Sequence, residues 1–116
     1  MYQFVCYAKC STCAKAEKWL KANQVDYEKR DIKTQNPAKE ELREWQSLSG
    51  VPLKKFFNTS GQLYRSMNLK EKLKDMSDEE MLELLASDGM LVKRPVLSNG
   101  KTVLVGFKEA DWNQIL

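Results

Sequence analysis

The chain has no histidine at all, only three cysteines, three prolines and five glycines in 116 residues, and no long uninterrupted apolar run. Each shortage excludes something. Without histidine, a zinc site or a Cys-His nucleophile pair must find other partners. An odd and small number of cysteines does not make a disulfide-stapled scaffold. Every apolar stretch is broken by Lys, Glu or Asp well before the roughly 18 residues that a membrane span needs, so no membrane partner is expected. The N-terminal MYQFVCYAKC lacks a basic start followed by an apolar core and a small-residue cleavage site, so the expected location is the cytoplasm.

What is present is a mixed, charged surface. Nineteen basic and 16 acidic residues leave a net charge of +3, and the signs interleave instead of gathering into a basic stripe. Direct nucleic-acid binding is therefore not expected. The length suits one domain, residues 1–116, with a single core.

Along the chain, Gln3–Tyr7 reads as a buried strand that ends just before a Cys-x-x-Cys pair, Cys10-Ser11-Thr12-Cys13. From Ser11 to Asn23 the period is helical, with Cys13, Ala16, Trp19 and Leu20 on one face. Val25–Ile32 reads as a second strand. Asn36 and Pro37 predict the N-cap and first turn of a helix that carries Leu42, Trp45 and Leu48 and stops before Gly50. Short helical pieces follow over Gly61–Met67 and Leu69–Asp75. Ser77-Asp78-Glu79-Glu80 spells a capping box, and Gly89 is placed to end that helix in the left-handed conformation. Asn99-Gly100 between Val96–Ser98 and Thr102–Val105 predicts a tight hairpin, and Glu109–Leu116 a closing helix. The order β-α-β, helices, β-β-α predicts an α/β thioredoxin-like sandwich: a central mixed four-stranded sheet flanked by helices.

That order gives the cysteine pair a physical setting. Cys10 at a helix start faces unpaired backbone N–H groups and the positive end of the helix dipole, with Lys9 beside it, and both favour thiolate. Cys13, three residues on, is within disulfide reach. With no histidine and only Cys6 as a further thiol, the pair lacks the ligands for zinc, and no metal is expected. A redox pair, or two small residues packing a helix start, are the readings left. Cys6, in the middle of the first strand, reads as an inert core residue.

Several blocks of the chain resemble the arsenate reductase and Spx-like group of thioredoxin-fold proteins: YAKCSTCAKAEKWL, SGVPLKKFFNTSGQLYR, LLASDGMLVKRPV and VGFKEADW, in family order. The resemblance implies that the Arg94-Pro95 bond is cis with Pro95 packed against Cys10. It also implies that Arg94 and Arg65 hold an oxyanion over the helix start, lined by the amides of Ser11, Thr12 and Cys13. On this reading Cys10 is the nucleophile, Cys13 the resolving thiol, and Lys9, Ser11, Thr12 and Pro95 line the substrate site. The chain also departs from arsenate reductases of this type. It has Gly106-Phe107 where they carry a third arginine, Ser11-Thr12 where they carry Gly-Thr after the cysteine, and Ala8 in place of a proline. These departures argue against arsenate itself as the substrate.

Two functions follow as expectations. One is a thiol-disulfide oxidoreductase acting on a disulfide, a glutathionylated thiol or an oxidised small molecule, with no bound cofactor and with glutathione, another small thiol, thioredoxin or glutaredoxin as donor. The other is an Spx-like redox-sensing regulator that docks on RNA polymerase.

Overall fold

The computed structural model describes residues 1–116. Four strands, β1 (Tyr2–Cys6), β2 (Tyr27–Asp31), β3 (Val96–Ser98) and β4 (Val103–Val105), form one sheet in the order β2-β1-β3-β4. β1 runs parallel to β2 and antiparallel to β3, and β4 returns antiparallel to β3. The helices are α1 (Ser11–Ala22), α2 (Lys39–Ser49), α3 (Gln62–Ser66), α4 (Leu69–Lys72), α5 (Asp78–Ser87) and α6 (Glu109–Trp112), the last continuing as a 3₁₀ turn over Asn113–Ile115. The parallel β1-β2 pair requires a crossover, and α1 supplies it. The fold is thus the expected mixed four-stranded sheet flanked by helices.

Strand parity divides the core. Phe4 and Cys6 of β1 point to one face, where they pack with Cys13, Ala16, Trp19 and Leu20 of α1, Leu97, and Trp112 of α6. Val5 points the other way, into a larger cluster with Leu42 and Trp45 of α2, Leu69 of α4, and Met81, Leu82 and Leu85 of α5. The first face is closed by aromatic edges. Trp112 meets Phe107 at 4.9 Å and 89°, Trp19 at 5.5 Å and 85°, and Phe4 at 6.5 Å and 88° between ring centroids. Its indole Nε1 donates to the Gly106 carbonyl at 3.1 Å, so the one polar atom of the buried ring is satisfied.

Local signals held where local chemistry decides. Gly50 ends α2 at φ 69°. In the capping box, Glu80 N donates to Ser77 Oγ at 3.2 Å and Ser77 N to Glu80 Oε1 at 3.0 Å. Elsewhere tertiary contacts won. Helix α2 begins at Lys39 with Ala38 as its N-cap, not at Asn36-Pro37. The Asn36 amide instead donates to the Ala86 carbonyl at 2.7 Å, tying this loop to α5. Gly89 is not a left-handed cap. It opens a 3₁₀ turn over Gly89–Leu91, and the Asp88 carboxylate accepts from Met90 N at 2.8 Å. Glycine is required there because a Cβ would run into the carbonyl of Ile32. In the hairpin only Gly100 takes a positive φ, 87°, so the tight turn is centred on Gly100-Lys101, with the Asn99 side chain accepting from the Lys101 and Thr102 amides.

Candidate functional site

The site lies where β1 hands over to α1. Cys10 N donates to the Tyr7 carbonyl at 3.0 Å, which folds the short loop back, and Ala14 N donates to the Cys10 carbonyl at 3.1 Å, which starts the helix. Cys10 is therefore the N-cap of α1, extended at φ −97° and ψ 119°, and its sulfur closes no capping bond with the first turn. Ser11 and Thr12 are exposed in that turn, as is Lys9 just before it. Their backbone N–H groups belong to the unpaired set at a helix start. Lys9 forms no ion pair.

Cys13 lies one turn into the helix, on its buried face. Its sulfur accepts from the Tyr7 backbone N–H at 3.5 Å. The two thiols are driven apart electrostatically. Burial disfavours the Cys10 thiolate, but the Cys13 backbone N–H, the Cys13 thiol and the Arg94 guanidinium together outweigh it, and the Cys10 pKa is lowered. Burial pushes the Cys13 thiol up to about 12, against the Tyr7 amide and with help from its contact to Cys10. The thiolate is thus favoured on one sulfur and disfavoured on its neighbour.

Arg94 reaches this corner because β3 pairs with β1, with Val96 opposite Val5. The Arg94-Pro95 peptide is cis, Pro95 is buried, and its carbonyl accepts from Gly106 N at 2.7 Å. The guanidinium stacks with its Cζ 5.2 Å from the Tyr7 ring centroid. Its Nε and Nη1 are buried without any hydrogen-bond partner. Two buried donors left open beside a sulfur whose thiolate is favoured are what a small anion would fill.

Arg65 is placed differently. It is exposed on α3, its Nη2 donates to the Ser60 carbonyl at 3.2 Å, and it makes no bond to Cys10, Cys13 or Arg94. It borders a recess of about 300 Å³ with Thr59, Tyr64, Asn68 and Lys70. Phe107, of the Gly106-Phe107 pair where the resemblance leads one to expect a third arginine, packs edge-on against Trp19 and Trp112 and brings no charge. Sequence reasoning missed Tyr7, which serves the site twice, through its amide to Cys13 and its ring under Arg94. Its position directly after the strand, before the cysteine loop, was the available signal.

Residues 6–115 match the ArsC family. The uncharacterized protein YusI of Bacillus subtilis is 54% identical over 111 residues, covering 96% of this chain and 94% of that protein. The regulatory protein MgsR of the same organism is 31% identical, over 93% of this chain and 84% of its own. A crystal structure of an ArsC family related protein from Bacteroides fragilis superposes with a TM-score of 0.97 at 49% identity, covering 99% of this chain and 97% of that one.

Proposed function

The chain belongs to the ArsC family and has its thioredoxin-like fold; on that premise we propose that it is a cytoplasmic thiol-disulfide oxidoreductase, with Cys10 as nucleophile and Cys13 as resolving thiol. The observation that supports it most directly is the pair of open Arg94 donors beside a sulfur whose thiolate is favoured. Cys10 thiolate attacks one sulfur of a disulfide or glutathionylated thiol, forming a mixed disulfide and expelling the other sulfur as thiolate. Cys13 loses its proton, attacks Cys10 and expels the second thiolate, leaving a Cys10–Cys13 disulfide. Glutathione, another small thiol, thioredoxin or glutaredoxin restores the dithiol, and the chemistry requires no bound cofactor or metal.

Arg94 is charged and forked, so it positions a carboxylate-bearing thiol such as glutathione or steadies the departing thiolate. Lys9 and the amides of Ser11 and Thr12 add positive potential at the same helix start. Arg65 enters only as a second cation for a longer substrate. With Phe107 in place of an arginine, arsenate turnover is expected to be absent.

The test is reduction of the mixed disulfide of glutathione and 2-mercaptoethanol with glutathione as donor. Cys10→Ser abolishes turnover, and Cys13→Ser accumulates a glutathione adduct on Cys10 that mass spectrometry detects. Wild-type protein that shows neither turnover nor adduct sinks the reading. The similarity to MgsR favours a second reading, a redox-sensing regulator that binds RNA polymerase. Stoichiometric retention on purified RNA polymerase that depends on the oxidation state of the pair would select it.

A further inference from the structure

Cys6 is absorbed by neither account, although it lies on the same face as the pair. Strand parity turns its side chain toward α1, into the cluster that holds Cys13 and against which Cys10 packs. The Tyr7 N–H that binds the Cys13 sulfur at 3.5 Å belongs to the peptide that Cys6 itself begins. The Cys13 sulfur therefore lies within about 6 Å of the Cys6 Cα. Both side chains lie in the same buried cluster, so the Cys6 sulfur faces the side of the sheet that Cys13 occupies. The three thiols do not converge as metal ligands would. The Cys13 sulfur meets the segment of each of the others, the Tyr7 amide on one side and Cys10 on the other.

We propose that Cys6 is the third thiol of this centre, taking Cys13 over from Cys10 by thiol-disulfide exchange to leave a Cys6–Cys13 disulfide and a free Cys10. The step rests on the dithiol reading above, which supplies the Cys10–Cys13 disulfide at the expense of a low-molecular-weight disulfide. Cys6 gives its proton to water, its sulfur bonds to the Cys13 sulfur, and the Cys10–Cys13 bond breaks with its electron pair leaving on Cys10. Nothing is oxidised or reduced overall.

Two features support the direction and the route. Exchange runs toward the sulfur that leaves best as thiolate, and Cys10 is the one that Arg94 and the helix start favour. Burial holds both Cys6 and Cys13 as protonated thiols when free, so pairing them costs no stabilised thiolate. Cys6 is only 7% exposed, yet it borders a cleft of about 200 Å³ with Ala8, Lys29 and Asp31. The Lys29 ammonium there is the strongest charge favouring deprotonation of Cys6. The centre would thereby store an oxidising pair inside the sheet while its nucleophile is free again.

The chain carries a convenient readout. Trypsin cuts after Lys9 and Lys15, placing Cys6 in peptide 1–9 and both Cys10 and Cys13 in peptide 10–15. Reduced full-length protein is treated with glutathione disulfide, quenched in acid, unfolded with N-ethylmaleimide and digested without reductant. The expected major oxidised species is peptide 1–9 joined to 10–15, with the maleimide on Cys10. In Cys6→Val, whose fold circular dichroism verifies, only the internal 10–15 disulfide forms. If wild type yields only the internal 10–15 disulfide with a labelled Cys6, this proposal falls and the dithiol reading stands. A linked pair with the maleimide on Cys13 overturns it equally. If no protein disulfide forms, both fall together.

Discussion

Two arginines in this fold lie over aromatic rings, and their surroundings differ sharply. Arg30, on β2, stacks 5.8 Å from the Trp45 ring centroid. Its Nη1 and Nη2 each meet a Glu41 carboxylate oxygen at 2.7 Å, Nη1 also reaches Gln3 Oε1 at 3.1 Å, and Nε donates to the Gln35 carbonyl at 2.8 Å. Arg94 stacks comparably on Tyr7 but leaves Nε and Nη1 buried and unpaired. The Arg30 corner is a finished piece of structure, joining β2 to α2. The Arg94 corner costs stability, since each open buried donor is worth about 1 to 3 kcal/mol. A guanidinium kept open beside a cysteine whose thiolate is favoured is placed for something that arrives from outside.

The largest effect expected from this contrast is on stability. Arg30→Met strands the Glu41 carboxylate and two acceptors, and should lower the free energy of unfolding by about 3 kcal/mol in urea titration while leaving the alkylation rate of Cys10 unchanged. Arg94→Met should do the opposite. Its unfolding free energy stays level or rises by about 1 kcal/mol, and iodoacetamide alkylation of Cys10 at neutral pH slows several-fold. Equal losses of stability in the two variants would break the comparison.

Added sulfate or phosphate sharpens it. At ten times its dissociation constant an anion in the Arg94 corner contributes about 1.4 kcal/mol to wild type, and thermal melts of Arg94→Met should not respond. The smallest effect is pH-dependent. Because the folded Cys10 pKa is lowered, its contribution is fully present above the free thiol value of about 8.5 and is lost as pH falls through the folded pKa. Cys13 has the opposite sign, its contribution holding below that value and fading as pH rises toward about 12. The stability gap between wild type and Cys10→Ser should therefore widen from pH 5 to pH 9.

Much of this was readable in the residues. The strand, the Cys-x-x-Cys pair and the basic helix behind it fix Cys10 at a helix start by local rules alone, and the Ser77 capping box is equally local. The parts that sequence could not supply depend on what arrives from elsewhere. Asn36 and Pro37 form a good helix start in isolation, but Asn36 is spent on the Ala86 carbonyl fifty residues away. Gly89 looks like a helix stop, while its real constraint is the Ile32 backbone. The charged strand YEKRD gives no hint that its arginine is saturated. Arg65 matches a family position, yet its own turn holds it through Ser60.

The placement of the tryptophans has an optical consequence. Trp19 and Trp112 share the cluster of Cys6 and Cys13, whereas Trp45 lies across the sheet beside Arg30. Disulfides quench neighbouring indole emission by accepting an excited electron, and thiols do so far more weakly. Two of the three fluorophores thus sit beside the sulfurs whose bonding changes in the proposed cycle, while the third supplies a steady background. If the thiols cycle as proposed, unlabelled fluorescence follows their oxidation in real time and in the native chain.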